Sequence, residues 1–318
     1  MTRRSVRSVL TIAGALLCLT TASAEEYRAI FWNLESGDSD AKTLATQVVA
    51  KGEVDFWGFS EVQNQAVVDT IEQALEKANP TSDYISKLSE DGAGDRLAIL
   101  YRSDRLTAVP YSGTAAVDDI GGNFFEVDSI NVGGTIRPAL AVQLTAETGD
   151  VVVVLVNHWK CCGDEERRKL QAIQMNAFAI QTPGIPIVAG GDFNIPLNSG
   201  SSTQEAFVQL SHIWEYRQPQ PDAGTHHGGS VLDAVFVTNR VPGWESSATI
   251  LERDGNSPAT TRTFSDNASQ TDHRPLLLVV NSDIRERLEG LREAIADLEA
   301  ALEALKAEVE RLEAANPD

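Results

Sequence analysis

The chain has 318 residues, 42% hydrophobic and 23% charged, a composition typical of a globular protein rather than a disordered or fibrous one. Its 46 acidic residues outnumber its 26 basic ones, which gives a formal net charge of −20 at pH 7. This charge disfavours a protein held to nucleic acid by a broad cationic surface. The three cysteines show no CxxC or Cys/His spacing, which excludes a disulfide framework and a zinc-finger-type site.

The first 24 residues have the pattern of an export signal. Arginines at positions 3, 4 and 7 precede an apolar run from residue 9 to residue 20, and Ala22-Ser23-Ala24 forms a small-residue cleavage site. The apolar run is shorter than the roughly 20 residues that a membrane-spanning helix needs. We therefore expect residues 1–24 to be a signal peptide and the mature protein to be periplasmic or secreted, with no transmembrane span.

Residues 25–281 alternate strand-like and helix-like segments and are numerous enough to form one catalytic-sized domain. Helices are predicted at 40–51, 63–79 and 164–181. Strands are predicted at 27–34, 54–60, 96–101, 136–144, 151–157, 185–189, 231–237 and 276–280. The run Val151–Val156 is apolar throughout, as expected for a strand that is buried on both faces. The mixture of strands and helices predicts a layered α/β fold.

Residues 282–318 show a different pattern. Leu, Ile and Val recur at alternating intervals of four and three residues from Ile284 to Leu312. This period of 3.5 is typical of a coiled coil, whereas a single amphipathic helix folded against the body would show a broader face with a period of 3.6. We expect a C-terminal coiled-coil helix that forms a homo-oligomer. The mixture of Leu and β-branched residues favours a dimer, and alanines beside the seam leave a higher number open.

Polar residues recur where the predicted strands end or begin. The segments are Trp32-Asn33, Ser60-Glu61, Asn157-His158, Gly191-Asp192-Phe193-Asn194, Leu232-Asp233 and Thr271-Asp272-His273. Taken singly, each segment also fits a turn, a helix cap or a hydrogen-bonded loop. Strand ends, however, are where rigid backbone meets a cleft, so the whole set predicts one preorganised site.

In these motifs and their order, the chain resembles the endonuclease/exonuclease/phosphatase superfamily. The specific motifs are Gly191-Asp-Phe-Asn194 and Asp272-His-Arg-Pro275, and in the sequence they follow the pair Asn33 and Glu61. The resemblance implies an α/β (α+β) four-layer sandwich, in which two packed β-sheets have helices outside. It also implies metal-dependent hydrolysis of phosphoesters.

The resemblance assigns the main metal site to Asn33, Glu61 and Asp272. These side chains offer the oxygen ligands that suit Mg²⁺ or Mn²⁺, with Ca²⁺ as a further option. By the same resemblance, Asp192 and Asn194 would orient or deprotonate the attacking water. Asp192 would also bind a second ion if the site uses two.

The remaining catalytic roles also follow from the resemblance. Asp233 would hold His273 in one tautomer, and His273 would act as a base or as a phosphate ligand. The sequence leaves the duty of base open between Asp192 and His273. His158 would contact a phosphate oxygen or protonate the leaving group. Arg137 fits either a contact with the substrate phosphate or a surface salt bridge.

Three features have no place in the family pattern. The family's catalytic tyrosine has no counterpart, because Tyr101 lies a few residues too late in its strand. His226 and His227 occupy a glycine-rich loop and fit rim residues, metal ligands or a plain loop. Cys161 and Cys162 are adjacent and fit free thiols, an intermolecular bridge or a strained vicinal disulfide.

The sequence thus predicts an exported, divalent-metal-dependent phosphodiester hydrolase, most simply a nuclease that meets its substrate through a compact contact. One alternative is a phosphatase or phosphodiesterase that acts on small-molecule or lipid-headgroup phosphoesters. A second alternative, from another class, is an inactive body that serves as a binding module and is oligomerised by the coil.

Overall fold

The computed structural model describes residues 25–132, 137–197, 204–238, 244–267 and 269–282, together with scattered positions between 295 and 311. The signal peptide expected at residues 1–24 lies outside the described residues, as does most of the coiled-coil seam expected at 282–318. Of that seam, Ile295 and Leu302 are described. Both are helical, and their exposed fractions are 47% and 51%.

The chain divides into two units. The larger unit consists of Tyr27–Val241 and Ser246–Val280 and contains every residue of the candidate site described below. The smaller unit consists of Met1–Glu26, Pro242–Glu245 and Asn281–Asp318. Within the described part of the chain, no helix combines the length and the apolar character needed to cross a membrane.

Between residues 25 and 282, the described residues form strands, four α-helices and a 3-10 turn. The helices are α1 (Ala41–Val49), α2 (Gln65–Ala78), α3 (Glu165–Ile180) and α4 (Glu205–Leu210), and the 3-10 turn is Asp128–Ile130. The strands are β1 (Glu25–Asn33), β2 (Phe56–Val62), β3 (Tyr84–Leu88), β4 (Arg96–Arg102), β5 (Leu106–Val109), β6 (Asp118–Gly121), β7 (Phe124–Val127), β8 (Ala139–Ala146), β9 (Val151–His158), β10 (Ile187–Asp192), β11 (Trp214–Tyr216), β12 (Asp233–Thr238), β13 (Trp244–Ile250) and β14 (Leu276–Ser282).

Among the described residues, the strands form two mixed sheets. The first sheet has six strands in the order β13-β14-β1-β2-β4-β3. The second has eight, in the order β11-β12-β10-β9-β8-β7-β6, with β5 paired to β8. The pair β1 and β2 is parallel, and so is the pair β9 and β10. Each sheet therefore has two neighbouring strands whose carboxyl ends lie at the same edge.

Helices cover the first sheet through an apolar cluster. Leu44 and Val48 of α1 and Ile71 of α2 share one buried cluster with Ile30 and Trp32 of β1. Helix α1 begins after Asp40, whose carboxylate accepts a hydrogen bond from the backbone N–H of Thr43, and this caps the helix. The β-sheets with helices outside confirm the sandwich fold that the motifs imply.

The two sheets approach each other closely at Phe31 of β1. A Cβ on Gly190 of β10 would lie 2.4 Å from the Phe31 ring, and a Cβ on Gly58 of β2 would lie 2.7 Å from it. Only glycine leaves room for this aromatic ring at both positions. The packing thus places β1 and β2 directly against β10, the strand that ends in Asp192.

The eight strands and three long helices predicted from the sequence are present, with shifted ends. The prediction missed several short strands, among them β6, whose sequence is Asp118-Asp-Ile-Gly121 and whose residues are mostly exposed. Asp and Gly are depleted in strands, so pairing with β7 rather than intrinsic propensity forms this strand.

Candidate active site

The polar residues at the strand ends converge on one edge of the larger unit. Asn33 is the last residue of β1, and its strand runs parallel to β2, which carries Glu61. In the second sheet, Asp192 lies directly opposite His158 across the parallel pair and opposite Asp233 across the antiparallel pair. Strand pairing therefore aligns His158, Asp192 and Asp233, and packing of the two sheets brings Asn33 to Asp192, which is 159 positions away in the sequence.

The side chains of Glu61 and Asn194 are oriented by irregular backbone. The register of β2 against β4 shifts between Phe59 and Val62, and Glu61 within this bulge has a φ of 54°. Asn194 has a φ of 53°. Left-handed backbone is costly for a residue with a Cβ and is concentrated at functional sites. The bulge turns the Glu61 carboxylate toward the second sheet, where it meets His158.

The Asn33 amide joins two of the expected metal ligands. Its Nδ2 donates hydrogen bonds of 3.0 Å both to Glu61 Oε1 and to Asp192 Oδ2. Its Oδ1 accepts the backbone N–H of Glu35 at 3.0 Å. The positive end of the amide dipole thus lies between two carboxylates, and each carboxylate accepts a hydrogen bond from it.

His158 faces the same two carboxylates. Its Nε2 lies 3.4 Å from Glu61 Oε1 and 3.8 Å from Asp192 Oδ2. Burial and the positive charges of Arg137 and His273 hold the pKa of His158 well below its ordinary value of 6.5. His158 is therefore neutral near pH 7, and its Nε2 faces the carboxylates with a lone pair when Arg137 is the hydrogen-bond donor.

His273 lies on the other side of Asp192, and its pKa is shifted in the opposite direction to that of His158. Its Nδ1 lies 2.6 Å from Asp233 Oδ2, and its Nε2 lies 3.9 Å from Asp192 Oδ2. Burial alone would lower the pKa of His273, but the charge and hydrogen bond of Asp233 raise it to about 10, with help from Asp192. The imidazole is therefore held protonated, with Nδ1 directed at Asp233 and Nε2 at the site.

Asp192 is a buried carboxylate that faces both His158 and His273. Burial and the negative charge of Asp233 raise its pKa to about 6, against the opposing effects of His273 and of hydrogen bonds from Asn194 and Asn33. The Asn194 backbone N–H donates to Asp192 Oδ1 at 2.8 Å, while the Asn194 side-chain amide donates to the Trp159 carbonyl. Asn194 thus fixes the Asp192 carboxylate through its backbone.

Asp272 lies on the far side of His273. Its Oδ1 is 3.6 Å from His273 Nε2, and its Oδ2 is 3.2 Å from His226 Nε2. Burial alone would raise the pKa of Asp272, but the hydrogen bond from His226 and the charge of His273 hold it below its ordinary value. Asn33, Glu61 and Asp192 therefore border one site, and Asp272 is connected to Asp192 only through the ring of His273, while its nearest histidine on the other side is His226.

Arg137 forms an ion pair, which is one of the two alternatives that the sequence leaves open, and it also contacts His158. Its Nη2 lies 3.1 Å from His158 Nε2, and its Nη1 forms an ion pair of 3.2 Å with Asp95 Oδ2. The guanidinium is therefore fixed beside the neutral imidazole by a carboxylate from the start of β4. A phosphate oxygen that approaches His158 would meet this guanidinium.

Two residues of the site were missed by the sequence interpretation. Glu35 has a φ of 51°, and its carboxylate accepts the backbone N–H of Asp272 at 2.8 Å. Burial and the charge of Asp272 raise the pKa of Glu35 to about 7. Asp95, which also accepts a hydrogen bond from Ser36, holds Arg137. Glu35 lies two residues beyond the end of β1 and Asp95 directly precedes β4, and neither belongs to the motifs that indicate the family.

The unassigned sequence features have defined positions. His226 contacts Asp272, and its ring centroid lies 4.4 Å from that of His227. Cys161 and Cys162 are free thiols, the first half-buried and the second exposed with a φ of 65°. Tyr101 is buried in β4 and pairs with Phe56 of β2.

The residues present fit a divalent cation of the Mg²⁺ or Mn²⁺ type. Glu61, His158 and Asp192 each offer one ligand atom, and the three atoms lie within 4.8 Å of one another. The Asn33 amide occupies the space between the two carboxylates, and rotation of this amide by about half a turn would present its oxygen there. The carboxylates suit Mg²⁺, and the imidazole nitrogen adds a ligand that Mn²⁺ accepts more readily.

The model of the family described as Endonuclease/Exonuclease/phosphatase matches residues 30–266 of the sequence. The chain belongs to this family. Family members are hydrolytic phosphoesterases, and the metal-dependent type is consistent with the ligand set described above. The chain is thus a phosphoric ester hydrolase, as predicted. A search of curated proteins finds no significant match to the sequence.

Solved structures share the fold at low sequence identity. The human Nocturnin catalytic domain with bound sulfate is 16% identical, with a TM-score of 0.54 and coverage of 81% of this chain and 96% of that one. D. rerio TDP2 complexed with single strand DNA product is 13% identical, with a TM-score of 0.55 and coverage of 81% and 100%. A mannosyl-6-phosphatase from Bacteroides thetaiotaomicron is 18% identical, with a TM-score of 0.54 and coverage of 80% and 99%.

Proposed function

We propose that this protein is an exported, divalent-metal-dependent phosphodiester hydrolase of the nuclease type. The observation that carries the proposal is the position of the buried Asp192 carboxylate between two histidines. Asp192 Oδ2 lies 3.8 Å from His158 Nε2 and 3.9 Å from His273 Nε2. One imidazole is neutral and the other is held protonated, so the carboxylate has a neutral ring on one side and a proton donor on the other.

Two residues of the chain carry out the proton transfers of the reaction, Asp192 as the acceptor and His273 as the donor. Asp192, with a pKa of about 6, is ionised at neutral pH and accepts the proton of the attacking water. His273, whose proton is stabilised by Asp233, binds a phosphate oxygen or gives its Nε2 proton to the departing oxygen as the P–O bond breaks. A bound divalent ion supplies positive charge to the phosphate oxygens and lowers the pKa of its water.

The charges around the site favour a phosphodiester over a phosphomonoester. A diester carries one negative charge, whereas a monoester carries about 1.5 to 2 at pH 7. The carboxylates of Glu61, Asp192 and Asp272 border the space where the phosphate must bind, and the cationic groups of Arg137 and His273 oppose them. The substrate with the smaller negative charge meets the weaker repulsion.

A phosphatase or phosphodiesterase for small or lipid-headgroup esters is the second candidate function. The net charge of −20 supports it, because long nucleic acids bind largely through the release of counterions by basic surfaces. The structural neighbours include proteins whose names refer to a DNA product and to a sugar phosphate, so the shared fold serves both substrate classes.

Hydrolysis assays on the mature protein test the proposal. Metal-free protein would be supplied with Mg²⁺, Mn²⁺ or Ca²⁺ and assayed on DNA, RNA, bis-p-nitrophenyl phosphate, phospholipids and sugar phosphates. We expect acid-soluble nucleotides from nucleic acid and the release of nitrophenol from the diester, both abolished in Asp192→Ala and His273→Ala. Release of inorganic phosphate from monoesters alone would support the second candidate. If no substrate turns over while the metal binds, the body is a binding module.

We also propose that residues 1–24 direct export to the periplasm or medium, and that residues 282–318 form a homo-oligomer, most simply a dimer. The heptad pattern and the exposure of Ile295 and Leu302 support the second point. Deletion of residues 283–318 should give a monomer by light scattering that retains activity. N-terminal sequencing of protein recovered outside the cytoplasm should begin near Glu25.

A further inference from the structure

The loop that carries His226 is tied by its backbone to the segment that carries Asp272. The Arg274 backbone N–H donates to the Thr225 carbonyl at 2.6 Å, and the His227 backbone N–H donates to the Asp272 carbonyl at 2.9 Å. These bonds pair His226 with His273 in a β-bridge. These backbone hydrogen bonds therefore hold His226 next to Asp272, so the loop that carries His226 is anchored at this point.

The hydrogen bonds of His226 also fix its tautomer. Its Nδ1 accepts the backbone N–H of Gly228 at 3.2 Å, so the proton of the neutral ring is on Nε2. That Nε2–H points at Asp272 Oδ2 over a distance of 3.2 Å. His226 is therefore a donor to the carboxylate. Ligation of a metal by Nε2 would require the ring proton to move to Nδ1, which faces another N–H.

The two oxygens of Asp272 consequently have different surroundings. Oδ2 is engaged by His226, whereas Oδ1 faces His273 Nε2, the ring nitrogen that is also directed at Asp192. The Asp272 backbone N–H is in turn held by the Glu35 carboxylate, which restricts rotation of the residue as a whole. Asp272 can thus offer one oxygen to an ion in the site while the other stays occupied.

We propose that His226 is a positioning residue that selects Mg²⁺ over Ca²⁺ by restricting Asp272 to one-oxygen coordination. Mg²⁺ demands near-ideal octahedral geometry and few protein ligands, whereas Ca²⁺ takes six to eight oxygens and commonly binds a carboxylate through both. The N–H of His226 competes with a metal ion for Oδ2, which disfavours the bidentate mode relative to coordination through Oδ1 alone. This inference rests on the proposed role of Asp272 as a metal ligand.

Direct metal binding tests the inference without substrate. Isothermal titration of the metal-free mature protein would give Kd for Mg²⁺ and for Ca²⁺ in the wild type, His226→Ala, His226→Gln and His227→Ala. Loss of a group that orients a metal ligand costs about 10- to 100-fold in affinity. We expect His226→Ala to weaken Mg²⁺ binding about tenfold, at the low end of that range, with little loss for Ca²⁺.

The other variants separate positioning from bulk structure. The Gln side chain can place an N–H donor near the position of His Nε2, so His226→Gln should restore the preference for Mg²⁺. His227→Ala keeps the backbone N–H that donates to the Asp272 carbonyl and should leave the Kd ratio unchanged. Thermal unfolding in EDTA would check that all variants fold equally.

Two results would overturn the inference. One is an unchanged ratio of the two Kd values in His226→Ala, and the other is the same change in His226→Ala and His227→Ala. The second result, together with tight Zn²⁺ binding that needs both rings, would make the histidines metal ligands themselves. A wild type that prefers Mg²⁺ but hydrolyses nothing would refute the proposed function and leave this inference standing. A wild type that binds no Mg²⁺ would refute the inference.

Discussion

Asp233 Oδ2 and His273 Nδ1 lie 2.6 Å apart, and both residues are almost fully buried. A buried charge is tolerated only when a partner compensates it, so the Asp233 carboxylate stabilises the protonated form of His273. The pair also fixes the orientation of the imidazole ring, with Nδ1 at Asp233 and Nε2 directed at Asp192. Removal of one partner should therefore change both chemistry and stability.

The Asp233→Asn substitution should leave the shape of the site while removing the charge that stabilises the His273 imidazolium. We expect kcat to fall by about 10²- to 10⁴-fold, the usual contribution of general acid–base catalysis. The pKa of His273, about 10 in the wild type, should fall, as measured by NMR titration of the ring protons. Asp222→Asn, in an exposed ion pair with Arg262, is the matched control and should keep kcat.

The same pair predicts how stability depends on pH. Because folding raises the pKa of His273 from its ordinary 6.5 to about 10, its stabilising contribution is fully present below pH 6.5 and is lost as the pH rises toward 10. The difference in unfolding free energy between the wild type and Asp233→Asn should therefore become smaller as the pH rises from 6.5 to about 10. Urea denaturation in EDTA measures it, and a difference that is constant with pH would contradict the assignment.

Metal removal should lower both activity and stability. EDTA should abolish hydrolysis, and Mg²⁺ at 100 times its Kd should stabilise the wild type by about 2.7 kcal/mol. For a domain of this size that corresponds to a rise in Tm of roughly 5 to 10 °C. In Glu61→Gln, which keeps the side-chain shape but loses the carboxylate charge, this rise should be largely absent. An equal rise in both proteins would place the ion elsewhere.

Arg137→Lys should separate phosphate recognition from a purely structural ion pair. The guanidinium contacts Asp95 and His158 at once, and the point charge of lysine cannot form both contacts in the same geometry. Loss of one preorganised donor to a phosphate costs about 10²- to 10³-fold in rate. We expect kcat/KM for a diester to fall by this factor. Asp95→Asn, which keeps the guanidinium, should cost much less, and equal losses would indicate a structural role.

Gly190→Ala tests the contact between the sheets. The new Cβ would lie 2.4 Å from the Phe31 ring, so either the ring or β10 must move. We expect a loss of about 1 to 3 kcal/mol in unfolding free energy, the usual cost of overpacking a core. Gly94→Ala, whose Cβ would meet nothing within 4 Å, should stay within about 0.5 kcal/mol of the wild type. Thermal denaturation of both variants provides the measurement.

The position of Asp192 shows how far the sequence could predict the site. Its place after an apolar strand was visible from the alternation of strand and polar residue, and so were the places of Asn33 and His158. A strand is a local structure whose hydrophobic pattern is written in consecutive residues. The order of the strand-end motifs then sufficed to indicate the family and the two-sheet fold.

The sequence could not predict which neighbours these residues would acquire. Glu35 and Asp95 lie in loops without a pattern, and they join the site because backbone hydrogen bonds and an ion pair hold them there. The short strand β6 likewise depends on its partner rather than on its own residues.

By itself, the amino-acid sequence determined the acidic character of the chain, its eight longer predicted strands and three long helices, and the residue types able to bind a cation and a phosphate. Only the tertiary structure decided the protonation of the two histidines, because burial and charges from distant strands set their pKa values in opposite directions. It also decided that His226 contacts Asp272. Electrostatic effects depend on distances in space, and residues far apart in the chain acquire those distances only when the sheets pair and pack.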